Sequence, residues 1–291
     1  MEQINLKAMA KINLGLDVVG KREDGYHEVR MIMQNIHLYD KLCIAKVKRN
    51  GIFVETNLRF LPTNENNLVY KAAKLLMDEF GIEQGILIKL QKYIPVSAGM
   101  AGGSTDAAAV LYGVDRLFRL GLSTEQLMER GVKIGADVPY CIMRGTALSE
   151  GIGEKLTPLP PMPPCHVLIA KPGISVSTKF VYENLNVPAL PFHPDIDGIV
   201  AALKERDLKG VAGLLSNVLE TVTVREYPVI EDIKNFMKEH GALNAIMSGS
   251  GPTVFGLFDE ERTAQRAYQD LKNKGLAKQV YLTDIYNRRD I

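Results

Sequence analysis

One stretch limits what this chain can fold into more than any other: Pro95-Val96-Ser97-Ala98-Gly99-Met100-Ala101-Gly102-Gly103-Ser104-Thr105-Asp106. An apolar run with strand-like alternation (Ile86, Ile88, Leu90) leads into it. An alanine-rich run, Ala107-Ala108-Ala109-Val110-Leu111, leaves it as a helix. Strand, glycine loop and helix start together make a place to hold an anion. The first turn of a helix offers unpaired N–H groups and the positive end of the macrodipole. Glycines let the backbone approach a phosphate with no Cβ in the way. Ser104 and Thr105 add hydroxyls that can cap the helix or touch a phosphate or its metal. Taken alone, the stretch reads equally well as a plain loop with a good helix cap. It matches neither G-x-x-x-x-G-K-[ST] nor G-x-G-x-x-G, so it is not a Walker A loop or a dinucleotide fingerprint.

Composition narrows the partner. A chain of 291 residues has room for about two domains, and 46% hydrophobic with 24% charged residues is ordinary for a soluble globular protein. A net charge of +1, with the basic residues spread out, gives no electrostatic case for nucleic acid or an anionic membrane. A small-molecule partner is expected. Cys43, Cys141 and Cys165 are odd in number and widely spaced, which supports neither a disulfide framework nor a zinc site. Lys7 and Lys11 break the N-terminal apolar run, so no signal peptide is read there, and no run has the ~20 apolar residues of a membrane span. A cytoplasmic protein is expected.

Along the chain, Ile4 to Val19 reads as a strand in which Lys11 interrupts an apolar context, with Asn13 on the same face. Lys11 is either a solvent-facing strand lysine or a lysine aimed into a site. Asp24-Gly25 is a hairpin turn, and Tyr26-His27 opens the returning strand. Asn64 to Phe80 is a helix capped by Asn64 or Asn66; strand 86–94 feeds the glycine loop, and the next helix runs to about Leu120. Ser123 and Gln126 have capping-box spacing. Asp137, in Gly135-Ala136-Asp137-Val138-Pro139, is a turn residue or a carboxylate on a rigid turn. The proline run 157–164 is the best linker and places a domain boundary at 158/159. Strand 166–170, a helix from Ser177 to Leu185, further helices including Ile230 to His240, a strand pair around Ser248-Gly249-Ser250-Gly251-Pro252-Thr253, a helix over 260–272 and a last strand over 279–284 complete an α+β pattern.

Three motifs in order, Lys11-Ile12-Asn13-Leu14, then Pro95 to Thr105, then Ser248 to Thr253, resemble those of the GHMP kinases. Asp24-Gly25-Tyr26-His27 and Gly135 to Pro139 resemble the branch of that family whose acceptor is a cytidine-diphosphate-linked polyol of non-mevalonate isoprenoid synthesis. The resemblance implies a two-domain α+β fold: an N-terminal ribosomal-S5-like ATP-binding domain over 1–158 and a C-terminal ferredoxin-like domain over 159–291, with the active site in the cleft between them. It implies ATP as co-substrate, with Mg2+ accompanying it and Ser104 as a contact. Pro95, Val96, Ser97, Ala98, Gly99, Met100, Ala101, Gly102, Gly103, Ser104 and Thr105 would wrap the phosphates, and Asn67 and Lys92 would lie near the adenine. Asp137 would be the base, Lys11 its partner at the acceptor hydroxyl, and Asn13 an orienting group. Tyr26 and His27 would recognise cytosine, with Tyr182 the opposing aromatic and Phe180 its rival. The same motifs allow a homoserine- or mevalonate-type kinase, or a non-catalytic nucleotide-binding regulator. The first has no base to stack on Tyr26, and the second has no use for both Lys11 and Asp137.

Overall fold

The structure, a computed structural model, describes residues 2–287. Strand β1 (Gln3–Lys21) turns at Asp24-Gly25 into β2 (His27–Val47), followed by β3 (Ile52–Thr56), α1 (Leu68–Glu79) and β4 (Gly85–Gln91). The glycine stretch leads into α2 (Gly102–Phe118), then α3 (Thr124–Val132), α4 (Val138–Met143), β5 (Thr146–Gly151) and β6 (Lys155–Pro158). Beyond the proline run come β7 (His166–Lys171), α5 (Thr178–Glu183), α6 (Ile196–Lys204), α7 (Leu208–Gly213) and β8 (Ser216–Asn217). The described chain closes with α8 (Glu220–Glu226), α9 (Val229–Glu239), β9 (Asn244–Met247), β10 (Val254–Phe258), α10 (Glu261–Lys274) and β11 (Gln279–Asp284). No helix among the described residues is long and apolar enough to cross a membrane.

The chain forms two compact units, and it enters each more than once. The first takes the residues up to Ala10, Leu38–Val96 and Ala101–Met143. Its strands lie in the order β3-β4-β2-β1, with β3 parallel and β2 antiparallel to β4. Helix α1 buries Val69, Ala72, Ala73, Leu76 and Met77, the spacing of a single helical face. It packs on α2, whose alanines and Val110, Leu111, Val114 and Leu117 are buried almost all round. The close approach of α2 to the strands depends on Gly113, where a Cβ would come within 2.5 Å of Ile44 Cδ1 and 2.9 Å of Leu6 Cδ1.

The second unit takes Lys11–His37, Ser97–Met100 and the chain from Arg144 onward. One sheet here runs β6-β5-β2-β1-β8; among the described residues β6 pairs only with β5, so Pro158 sits on an edge where its missing N–H costs no ladder bond. A separate antiparallel sheet has the order β11-β7-β10-β9. With α9 and α10 packed on it, the sequence β7-α9-β9-β10-α10-β11 has the ferredoxin-like arrangement expected for the C-terminal region.

Several local expectations change. Asn67 caps α1, its Oδ1 accepting from the N–H of Val69 at 3.0 Å, while Asn64 Oδ1 accepts from Asn66 N. Strand β4 stops at Gln91 because the next N–H groups turn to side chains: Lys92 N to Asn57, and Tyr93 N and Ile94 N to Asp40. Helix α2 starts at Gly102 behind a left-handed Ala101 with no side-chain cap, so neither Ser104 nor Thr105 is a capping residue. Asp137 is followed by the short helix α4, in which Pro139 takes the second position and its absent N–H is harmless. The Ser123–Gln126 capping box forms as expected.

Candidate active site

The glycine stretch derives its shape from left-handed backbone, which glycine takes readily and Ser97 and Ala101 do not. Ser97, Gly99 and Ala101 all have positive φ, at 51°, 69° and 55°. Alternation of this kind turns successive N–H groups toward a common side, the geometry that binds anions. From Ala101 the chain enters α2, where the first helical N–H bond is Thr105 N to Ala101 O at 2.9 Å. The N–H groups of Gly102, Gly103 and Ser104 have no partner among the described residues, and Gly103 is exposed. They are donors at the positive end of a 17-residue helix.

Within the second unit, the loop tip rests on the other glycine turn. Ser248 Oγ donates to the Gly99 carbonyl at 2.9 Å, and a Cβ on Gly99 would sit 2.1 Å from the Ser248 carbonyl oxygen. Backbone Lys11 N donates to Met100 O at 3.2 Å. The turn is held in its own right: Ser248 N donates to Thr253 O, and Asn217 Nδ2 donates to the carbonyls of Met247 and Gly249, both at 2.8 Å. Asn217 is buried and was not anticipated; nothing in Leu215-Ser216-Asn217-Val218 marks it. The motif over 248–253 therefore seats the central loop.

Lys11 and Asn13 share one face of β1, as their spacing predicts. Both are buried, and Lys11 Nζ donates to Asn13 Oδ1 at 2.7 Å while Asn13 Nδ2 lies 3.2 Å from Met31 Sδ. After the turn at Gly25, Tyr26 is 60% exposed and His27 half-buried. The rings of His27 and Tyr182 lie 5.1 Å apart at a 42° tilt, so it is Tyr182 that approaches His27, while Phe180 stands exposed at 40%. Burial, with a lesser contribution from Lys21, lowers the His27 pKa below its usual 6.5, so the imidazole is neutral at neutral pH.

In the first unit, Asp137 is half-buried on the turn into α4, its carbonyl accepting from Cys141 N at 3.1 Å. The following Tyr140 is fully buried, and burial pushes its phenol well above the usual 10.0. Lys92 and Asn67, expected near the adenine, have polar atoms engaged by the protein. Asn67 caps α1 and donates to Pro62 O at 2.7 Å; Lys92 Nζ is buried against Asp40 and Asp106. Asp40 and Asp106 were missed. An acid between Thr105 and the alanine run was the available signal for the second. Among the described residues no group of three or more His, Cys, Asp or Glu comes together as a metal site.

Comparison with known proteins adds the following. The family described as GHMP kinases N terminal domain matches residues 67–145, and that described as GHMP kinases C terminal matches residues 199–277. The chain is 58% identical to a 4-diphosphocytidyl-2-C-methyl-D-erythritol kinase of Lachnoclostridium phytofermentans over 291 residues, the whole of both chains. It is 58% identical to that of Lachnospira eligens over 286 residues, 98% of this chain and 99% of the relative. A crystal structure of 4-(cytidine 5'-diphospho)-2C-methyl-D-erythritol kinase superposes with a TM-score of 0.84 at 32% identity, covering 98% of this chain and 100% of that one.

The Gly99 contact yields a direct expectation. Gly99→Ala places a methyl against the Ser248 carbonyl at positive φ, so the loop must shift, and KM for ATP should rise by about tenfold or more in steady-state assays.

Proposed function

The chain belongs to the 4-diphosphocytidyl-2-C-methyl-D-erythritol kinases of the GHMP kinase family, and from that membership we propose how its residues divide the work. The reaction transfers the γ-phosphoryl group of ATP to the 2-hydroxyl of 4-diphosphocytidyl-2-C-methyl-D-erythritol. It gives the 2-phosphate and ADP, a step in non-mevalonate isoprenoid precursor synthesis. The cytoplasm is its proposed place. The family matches at 67–145 and 199–277 fall on either side of residue 158, which supports a functional division there.

Phosphoryl transfer asks the protein mainly to position two reactants and to stabilise charge on the moving group. Backbone donors do the second in this reading. The left-handed residues of 95–105 and the unpartnered N–H groups of Gly102, Gly103 and Ser104 meet the phosphate oxygens without a Walker lysine. Ser104, a hard oxygen donor in the first turn of α2, fits as the protein's contact to a magnesium ion that the phosphates themselves would chiefly hold. Bound there, the ion would neutralise charge on the β- and γ-phosphates.

On the acceptor side, Asp137 is the proposed general base for the hydroxyl proton, a role usually worth about 10²–10⁴-fold. Lys11 supplies positive charge beside that hydroxyl, and Asn13 holds the ammonium's direction through the 2.7 Å bond. Tyr26 offers an exposed ring for stacking on the base, opposite Tyr182. A neutral His27 can donate to N3 of cytosine or accept from its N4 amino group, whereas an imidazolium can only donate. The approach of His27 and Tyr182 is the observation that carries this choice of acceptor, since homoserine and mevalonate have no base to occupy the space beside them.

A coupled ADP-release assay of the purified chain against the cytidyl substrate, mevalonate and homoserine tests the reading. Turnover is expected with the first alone; activity confined to either of the others overturns it. Asp137→Asn is expected to lower kcat by at least ~100-fold while ATP still binds, and near-normal turnover would remove Asp137 as the base. The depressed His27 pKa sets the sign of a pH effect. KM for the cytidyl substrate should stay flat above about pH 7 and rise as the medium falls below the usual histidine pKa, and His27→Gln should abolish that rise.

A further inference from the structure

We propose that Asp40, Lys92 and Asp106 form a buried charge clamp that fixes both ends of the loop over 95–105, making them positioning residues for the ATP phosphates. This rests on the reading of that loop as the phosphate site, and it gives Lys92 a task other than contact with the base.

The clamp begins where β4 ends. Asp40 Oδ1 accepts from the backbone N–H groups of Tyr93 and Ile94, at 2.5 and 2.8 Å, and so directs the chain toward Pro95. Its Oδ2 pairs with Lys92 Nζ. The Lys92 backbone is gripped as well: its N–H donates to Asn57 Oδ1 at 2.8 Å, and its carbonyl accepts from Asn57 Nδ2 at 3.1 Å. Across the ammonium, Asp106 Oδ2 lies 2.7 Å away on the fifth residue of α2. A Cβ on Gly102 would come within 3.1 Å of Nζ and 3.2 Å of Ile94 Cγ2. The ammonium thus lies against the first residue of α2, where the run of unpartnered N–H groups begins. One side chain joins the loop's strand exit to its helix entry.

Charge explains why three ionisable groups are spent here. The side chains of Asp40, Lys92 and Asp106 are 0%, 4% and 3% exposed. Two buried carboxylates beside the helix start would repel a polyphosphate, with little water between to screen them. Lys92 cancels one: burial works against the ammonium, but Asp106 and Asp40 outweigh it and hold its pKa above the usual 10.5. For the other, burial disfavours the charge. Burial drives the Asp106 carboxyl well above the usual 3.8, and Lys92 offsets this only in part. Asp106 Oδ1 is buried with no hydrogen-bond partner among the described residues, a state that is costly for an anion. The clamp is then rigid and carries less charge than its two carboxyls alone would, and leaves the donors of α2 to the phosphates.

The test compares ATP with adenosine, which has the base and no phosphates, by titration calorimetry, alongside KM for both substrates. In Lys92→Met and Asp40→Asn, KM and Kd for ATP should rise by about tenfold or more while adenosine affinity and the cytidyl-substrate KM stay within about twofold. The double variant Lys92→Met/Asp106→Asn should bind ATP better than Lys92→Met alone, because it leaves one buried carboxyl, Asp40, without its cation where Lys92→Met leaves two. If Asp40→Asn does not fold, this double variant, which keeps the Asp40 bonds to Tyr93 and Ile94, is held against wild type by the same ATP-to-adenosine criterion. Equal loss of ATP and adenosine affinity would overturn the proposal in favour of a base contact, and so would ATP constants within twofold of wild type throughout. Gly99→Ala separates the two levels. If it too leaves ATP unaffected, the phosphate-loop reading fails; if it raises KM for ATP while the clamp variants do not, only the clamp fails.

Discussion

The contact between Gly99 and Ser248, a hydroxyl bond in one direction and a Cα pressed on a carbonyl in the other, sets the shape of the stretch on which the whole site is built. A loop that binds anions through N–H groups has to hold those groups convergent before the ligand arrives, or binding must supply the ordering free energy. Ser97 and Ala101 are poor choices for left-handed backbone, so local preference does not produce this conformation. External bonds impose it, from Ser248 and the backbone of Lys11 at the tip. Asn217 keeps the supporting turn from moving by bonding two of its carbonyls. The three motifs are far apart in the chain, and each is partly explained by what it does to the shape of another.

Much of this was legible in the residues. Alternation and apolar spacing located β1, α1, the strand before the loop, α9, α10 and β11, because burial on one face imposes a period that survives in sequence. The Lys11–Asn13 pairing followed from the two-residue repeat of a strand. What escaped was decided by partners distant in the chain. The adenine assignment for Lys92 could not anticipate Asp40, whose place in Tyr39-Asp40-Lys41 looks like an ordinary polar strand position. The end of β4 at Gln91 is set by Asn57 and Asp40 taking the next N–H groups. Helix α4 was hidden because Val138-Pro139 after a glycine turn reads as a breaker, and only the rule that proline is harmless in a first turn recovers it. The choice between Tyr182 and Phe180 needed the capped start of α5 at Ser177, which sets which side chain faces His27.

The interleaving of the two compact units bears on how the chain comes to be folded during synthesis. Residues 11–37 and 97–100 leave the ribosome early, yet they belong to a unit that is complete only when β11 has been made. Pairings of such long separation are slow to form, since the loop-closure entropy must be met before the contacts offset it. The nascent strands β1 and β2 therefore spend much of translation with part of their length lacking its final neighbours. Lys11, Asn13 and Asp17 on β1 put polar side chains into that waiting stretch, where a wholly apolar strand would be prone to pair with another chain. These polar side chains then lower the risk of aggregation before the unit is complete.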